Sequence, residues 1–245
     1  MNRKIFSATS LKYIAVIAMI IDHVAFVFIP SESFLYFAMR FIGRLTAPVM
    51  SFFIAEGFRH THNRKKYFLR MIIFAVISQP FYFLMIFRRT PQSISEFLMN
   101  LNIMFNFCIC LIMLKIVSGD LHTEKKIILT AVCFALSDLC DWSYIVPAWI
   151  LIFFLIRNKN QQIIAFISVS AVLITLKYLP SYNSFAEFSY QYGFISAVFL
   201  IALYNGKYSN SVKNKPVNRW LFYICYPLHM GIICLLYFLK IRYNL

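Results

Sequence analysis

An aspartate and a histidine stand side by side in the middle of a strongly apolar stretch near the N-terminus. Asp22 and His23 lie within residues 11–29, a run long and apolar enough to cross a membrane. A carboxylate at the centre of such a segment costs about 3 kcal/mol on insertion scales, so it is by default a functional candidate. Histidine is the commonest general acid or base in catalysis. The pair therefore marks the predicted reaction centre.

A basic residue is aligned with this histidine. Lys12 precedes His23 by eleven residues, which is close to three helical turns, so both side chains point to the same side of the helix. The helical rise places Asp22 and His23 about 15 Å from Lys12, near the midplane of a bilayer. We expect a basic group at the membrane surface below an imidazole at mid-depth.

Two arginines reach the same depth from the next apolar segment, residues 34–57. Arg40 and Arg44 are four residues apart and share one helix face. They lie about 9 and 15 Å deep, so Asp22 is the predicted counter-ion. A purely structural buried ion pair is the alternative. Two guanidinium groups facing one carboxylate leave a positive excess that suits an anionic ligand.

A basic loop follows the second segment, and it has two interpretations. It is either a topology-determining loop or a rim that binds phosphate groups at the cytoplasmic mouth. The candidate donor-binding residues at this mouth are Lys12, Glu56, Arg59, His60, Arg64, Lys65, Lys66 and Arg70. The His60-x-His62 pair has no acidic or cysteine partner at ligand spacing, so no metal is expected.

Further polar residues recur at membrane depth and are candidate binding residues. They are Gln79, Asn102, Asn106, Asp141 and His229. Gln79 belongs to a Ser-Gln-Pro sequence that predicts a polar kink, and the two asparagines are four residues apart on one face. Amides in spanning helices often only join helices, and a lone histidine is often a packed polar residue. Asp141 is predicted in an acidic rim at the outer mouth.

The composition predicts a polytopic membrane protein. Hydrophobic residues make up 61% of the 245 residues and charged residues only 13%, about half the charged share of a soluble domain. The mean hydropathy is +0.70. We predict one all-α transmembrane domain over residues 1–245 with about nine spans, and eight to ten are compatible because the fifth and sixth segments are short. The predicted segments are 11–29, 34–57, 67–87, 97–117, 127–139, 144–156, 163–179, 190–204 and 220–239.

A net charge of +15 would suggest a nucleic-acid partner in a soluble protein. Here the basic residues lie in short loops between apolar runs, so they are interpreted as determinants of topology and no nucleic-acid partner is expected. They concentrate in alternate loops, which places the N-terminus in the cytoplasm and predicts a multi-pass protein of the inner or plasma membrane. The partner implied by the apolar surface is the lipid bilayer. The cysteines lack a Cys-x-x-Cys spacing and are interpreted as small apolar residues. Soluble catalytic signatures are absent from the sequence.

At these polar positions the chain resembles the TraX family, named for a conjugation protein that acetylates pilin. The resemblance rests on LKYIAVIAMIIDH (11–23), RFIGRLTAPVMSFFIAEGFRHTHNRKKYFLR (40–70), FAVISQPF (74–81), NIMFN (102–106) and YPLH (226–229). More loosely, it is similar to polytopic acyltransferases that take acyl groups from a cytoplasmic acyl-CoA. In those enzymes a basic residue, ten residues and a histidine are typical of an early helix, as Lys12 and His23 are here. A paired-arginine motif is also common, and Arg40 and Arg44 resemble it with different spacing.

The resemblance implies acetyl transfer from acetyl-CoA to an amine or hydroxyl of an envelope or exported acceptor. The basic mouth would hold the CoA phosphates, and His23 would act as base or as acyl carrier. Asp22 would tune the histidine, and Arg40 or Arg44 would stabilise the oxyanion. The acceptor stays open among a pilin-like peptide, a glycan, a lipid and a small molecule. Two other functions stay open. One is a small-molecule or ion transporter that uses Asp22, His23, Arg40 and Arg44 as a relay, and the other is a non-catalytic membrane protein of pilus or envelope assembly.

Overall fold

The computed structural model describes residues 5–181, 188–207 and 215–243, with side chains described from residue 220 in the last range. Helices dominate these ranges, and β-type pairing there is limited to two isolated bridges, Phe6 with Tyr204 and Leu101 with Cys140. The predicted all-α fold is confirmed for these ranges. Several predicted cytoplasmic charges lie outside the described residues or side chains: Arg3, Lys4, Lys213, Lys215 and Arg219.

The helices overlap all of the predicted segments, although the second and the fourth segment are interrupted. In the described ranges they are α1 Ala8–Phe28, α2 Phe34–Gly43, α3 Thr46–His60, α4 Arg64–Phe87, α5 Ile94–Leu98, α6 Ile103–Ser118, α7 Thr123–Ser137, α8 Ile145–Leu155, α9 Lys159–Tyr178, α10 Ser196–Ala202 and α11 Lys215–Tyr243. Short 3-10 turns at Leu179–Ser181 and Ser189–Ile195 extend α9 and precede α10.

Five helical runs in these ranges are long and apolar enough to cross a bilayer. They are Ala8–Phe28, Phe34–His60, Arg64–Phe87, Lys159–Ser181 and Trp220–Tyr243. Shorter apolar helices occur at Ile103–Ser118, Ile145–Leu155 and Ser189–Ala202. The count of nine crossings and the cytoplasmic N-terminus stay predictions.

The second predicted span is interrupted, contrary to the single helix expected over residues 34–57. α2 ends at Gly43, Arg44 and Leu45 form a turn, and α3 begins at Thr46. The cause is Pro48, which has no N–H for the carbonyl four residues earlier and whose ring crowds that carbonyl. The carbonyl belongs to Arg44, so the helix is interrupted at the arginine that belongs to the predicted site.

The fourth predicted span, residues 97–117, is also divided. The short α5 ends at Leu98, and α6 begins only at Ile103. The side chain of Asn102 accepts a hydrogen bond from the amide of Met104 at 3.0 Å, which fixes Asn102 as the N-cap of α6. Asn102 therefore ends a loop, while Asn106 lies one turn inside the helix.

The packing brings together the helices that carry the buried polar residues. α1 packs against α2, α3 and α11, and α4 packs against α6 and α11. The α2–α3 run is the most buried of the five long helical runs, whereas α9 is the least buried. The α2–α3 run thus lies at the centre of the bundle, and α9 lies at its periphery.

Candidate functional site

A three-residue charge cluster joins α1 to the interruption between α2 and α3. The carboxylate of Asp22 accepts a hydrogen bond from Nη1 of Arg40 at 2.8 Å and another from Nη2 of Arg44. Asp22 is 4% exposed and each arginine 8%. Gly43 permits this approach, because a Cβ at that position would overlap the Asp22 side chain. Asp22 is thus the counter-ion of both arginines.

Aromatic rings and one amide complete the surroundings of the two guanidinium groups. Arg44 lies 5.1 Å from the ring centre of Trp142, and its Nη1 donates to Oε1 of Gln191 at 3.3 Å. Gln191 is 2% exposed and was not among the predicted site residues. It is the second residue of the predicted span 190–204, so the depth criterion that identified Asp22 does not single it out. The rings that face Arg40 are those of Phe26, Tyr36 and Tyr190.

His23 is held by a second histidine rather than by its neighbour in sequence. Nδ1 of His23 lies 2.7 Å from Nε2 of His229 on α11. The ring planes are 7° apart and the ring centres 5.0 Å apart. The two imidazole rings therefore meet edge to edge through this nitrogen–nitrogen contact. Nε2 of His23 is 4.0 Å from Oδ2 of Asp22, too long for a hydrogen bond.

A single cavity of about 240 Å³ connects this cluster with the basic mouth. His23, Asp22 and Arg44 line it, and so do Lys12 and Arg70, which lie near the first turns of α1 and α4. The helical rise from Lys12 to His23 is about 16 Å. The remaining lining residues include Met50, Phe53, Thr61, Tyr67, Met71, Phe107, Asp141, Trp142, Phe222, Tyr223 and Tyr226.

The wall opposite the mouth is a strained turn. Trp142 and Ser143 adopt φ angles of 61° and 46°, a left-handed conformation that is unusual for side chains of this kind. Nδ2 of Asn106 donates to the carbonyls of Asp141 at 3.0 Å and of Ser143 at 2.9 Å. Asn106, predicted as a binding residue, therefore braces the turn that presents Asp141 and Trp142 to the cavity. Asp141 lines the cavity wall, and its place in an acidic rim at the outer mouth stays a prediction.

Arg59 in the basic mouth has a helix-capping role. Its Nη1 donates to Glu56 at 2.9 Å, and its Nη2 donates to the carbonyls of Phe153 at 2.9 Å and of Phe154. These carbonyls belong to the last turn of α8, where no intrahelical amide follows. Glu56 and Arg59 lie outside the cavity lining and border a separate recess beside α8 and α9.

The other residues of the predicted mouth, except Lys12 and Arg70, do not line the cavity. The guanidinium of Arg64 lies 4.1 Å from the ring centre of Phe58. The side chain of His60 is 77% exposed, with Nε2 at 3.5 Å from Glu56. Lys65 and Lys66 are exposed. Of the predicted mouth, Lys12 and Arg70 are the residues that line the cavity.

Gln79 and Asn102 form a buried brace away from the cavity. Nδ2 of Asn102 donates to Oε1 of Gln79 at 2.8 Å and to the carbonyl of Ala75 at 2.8 Å, while Nε2 of Gln79 donates to the carbonyl of Asn100 at 2.7 Å. Neither side chain lines the cavity. The pair ties α4 to the loop before α6, as amides in spanning helices often do.

The fold and this site together define a class of protein. Helices of membrane-crossing length surround buried charges, paired imidazoles and a cavity that extends to a basic surface. Ionisable groups at such depth in a helical membrane protein mark a functional interior. The molecule is a helical membrane protein with an internal polar site.

The chain belongs to the TraX family. The family model described as TraX protein matches residues 7–237, which confirms the resemblance seen in the sequence. A curated relative is described as "Probable fimbrial assembly protein FimC, serogroup H1", from Dichelobacter nodosus. It is 33% identical over 241 residues, which cover 96% of this chain and 97% of the relative. No solved structure matches the chain.

Proposed function

We propose that this protein is a membrane-embedded acyltransferase that moves an acetyl group from acetyl-CoA to an amine or hydroxyl of an envelope or exported acceptor. The observation that carries the proposal is the cavity that joins Lys12 and Arg70 to His23. An extended pantetheine arm has a length comparable to the rise of about 16 Å between Lys12 and His23. The two basic side chains fit the CoA phosphates at the mouth.

In the proposed reaction His23 is the general base. Its Nε2 takes the proton of the acceptor amine or hydroxyl while the acceptor atom attacks the thioester carbonyl. Arg44, the arginine of the pair that lines the cavity, stabilises the developing oxyanion. The carbon–sulfur bond then breaks, and the departing CoA thiolate takes the proton from the His23 imidazolium. The products are the acetylated acceptor and free CoA.

The proposal includes a topology. With about nine crossings and the N-terminus in the cytoplasm, the Lys12–Arg70 mouth faces cytoplasmic acetyl-CoA, and the Asp141–Trp142 turn lies towards the outer surface. The distribution of basic residues along the chain supports this orientation. The location that follows is the inner or plasma membrane. The reaction as proposed needs no metal.

A non-catalytic role in fimbrial assembly is the second candidate, because the relative from Dichelobacter nodosus is named as a probable fimbrial assembly protein. In that case the bundle would contribute surfaces for assembly, and His23 would be replaceable.

Complementation separates the two candidates. A host strain lacking the gene would be supplied with the wild-type protein or with His23→Ala, and envelope and exported fractions would be compared by mass spectrometry. We expect an acetyl mass difference with the wild type and none with His23→Ala. Surface fibres restored by both the wild type and His23→Ala, with no acetyl mass difference between the wild-type and deletion strains, would remove the enzyme proposal. An exposed-residue variant, His122→Ala, controls for expression.

A further inference from the structure

Two consecutive hydrogen bonds connect His23 to a backbone carbonyl. Nδ1 of His23 contacts Nε2 of His229 at 2.7 Å, and Nδ1 of His229 contacts the carbonyl oxygen of Cys225 at 2.7 Å. Cys225 and His229 are one turn apart on α11, and His23 reaches them from α1. The contacts therefore form a chain that begins at a fixed backbone atom and ends at the proposed base.

The carbonyl sets the direction of the chain. A carbonyl oxygen only accepts, so Nδ1 of His229 carries the hydrogen and donates it. In a neutral His229 the other nitrogen, Nε2, is then an acceptor. Nδ1 of His23 must supply the hydrogen for that contact. His23 is thereby held as the Nδ1–H tautomer, and its Nε2 keeps a lone pair.

His229 is neutral in this arrangement for a physical reason. It is 6% exposed, and both of its ring nitrogens face uncharged partners, a carbonyl and an imidazole. A cation at this position would be buried without a counter-charge, which is costly. The charged groups near His23 are Asp22, Arg40 and Arg44, and Asp22 is already bonded to both arginines.

We infer that His229 is a positioning residue. Because its Nδ1 donates to the Cys225 carbonyl, its Nε2 accepts from Nδ1 of His23, and this leaves Nε2 of His23 as the reactive atom. The consequence for the reaction rests on the proposed acyl transfer, whereas the tautomer itself does not. A histidine in the other tautomer would present an N–H towards the acceptor and could not take its proton.

Nitrogen spectroscopy tests the tautomer without any activity. The chain has five histidines, so protein labelled with ¹⁵N-histidine in lipid nanodiscs gives a small set of ring signals, which His23→Gln and His229→Gln assign. We expect the His23 pair to show a protonated Nδ1 and an unprotonated Nε2. A protonated Nε2 on His23 would overturn the inference. The exposed His122, replaced by glutamine, should leave the His23 signals unchanged.

Kinetics test the positioning role. We expect His229→Ala to lower kcat by about 100-fold, the lower end of what a general base contributes, with an unchanged KM for acetyl-CoA. His229→Gln should recover a large part of kcat, because its amide oxygen can accept from His23 while its NH₂ group donates to the Cys225 carbonyl. Wild-type kcat in a folded His229→Ala protein would refute the positioning role.

The two proposals fail in different ways. If the wild-type protein does not turn over acetyl-CoA, the proposed function is lost, yet the nitrogen spectrum still decides the tautomer. If turnover is present and the spectrum shows Nε2–H on His23, the function stands and the inference about His229 is lost. Unfolding temperatures of both His229 variants, measured in the same nanodiscs, separate loss of fold from loss of positioning.

Discussion

The inner end and the mouth of the cavity are built differently, although both are rich in cations. At the inner end Arg40 and Arg44 are buried, and both bond Asp22 from another helix. At the mouth Arg70 lines the cavity, and its Nε has no hydrogen-bond partner among the described residues. The two inner arginines are held in place by their carboxylate, whereas the guanidinium of Arg70 can still bond a charged ligand. The comparison assigns chemistry to the inner end and donor capture to the mouth.

The largest expected effect is at the inner end. Asp22→Asn leaves two buried arginines without a counter-charge, and breaking a buried ion pair in this way costs about 3–5 kcal/mol. We expect a clearly lower unfolding temperature in detergent and loss of turnover. The matched control is Glu96→Gln, which breaks the exposed pair with Arg89 and should leave the unfolding temperature nearly unchanged. Equal unfolding temperatures for the two variants would contradict the buried network.

The residues of the inner end could be predicted from the sequence, because the helical rise gives the depth of each residue along a predicted span. Residues 11–29 were predicted as a span and α1 covers Ala8–Phe28. Arg40 and Arg44 were predicted at the depth of Asp22, and both bond it. The interruption at Arg44 was missed, although Pro48 four residues later carries the signal.

The roles at the mouth and the partners of the amides could not be predicted in the same way. Arg59 bonds carbonyls of α8, and these lie more than ninety residues away in the sequence. The pairing of Gln79 with Asn102 likewise depends on how α4 meets the loop before α6. Charge and spacing along one helix do not reveal such neighbours, since they are fixed by tertiary packing.

A smaller effect is expected at the cavity wall. Asn106→Ala removes both hydrogen bonds that hold the carbonyls of Asp141 and Ser143. Leaving buried polar groups unpaired costs about 1–3 kcal/mol, so the unfolding temperature and kcat should both fall. Asn100→Ala is the control, because its side chain makes one partly buried bond to the Glu96 carbonyl. A greater loss in Asn100→Ala than in Asn106→Ala would argue against the brace.

The smallest effect belongs to the mouth. Arg70 lines the cavity, and the exposed Lys65 does not. Loss of one charge-assisted bond to a phosphate should raise the KM for acetyl-CoA about tenfold in Arg70→Ala. Lys65→Ala should leave KM unchanged. If both variants raised KM equally, the mouth would act as a diffuse basic surface rather than through Arg70.

The most direct measurement compares donor binding with donor turnover in one variant. Inside-out membrane vesicles carrying either the wild-type protein or His23→Ala would be given acetyl-CoA. Binding would be followed by equilibrium dialysis and turnover by release of free CoA. The account predicts that His23→Ala binds acetyl-CoA as tightly as the wild type and releases CoA only at the background rate. Equal CoA release from both proteins would contradict His23 as the reacting group.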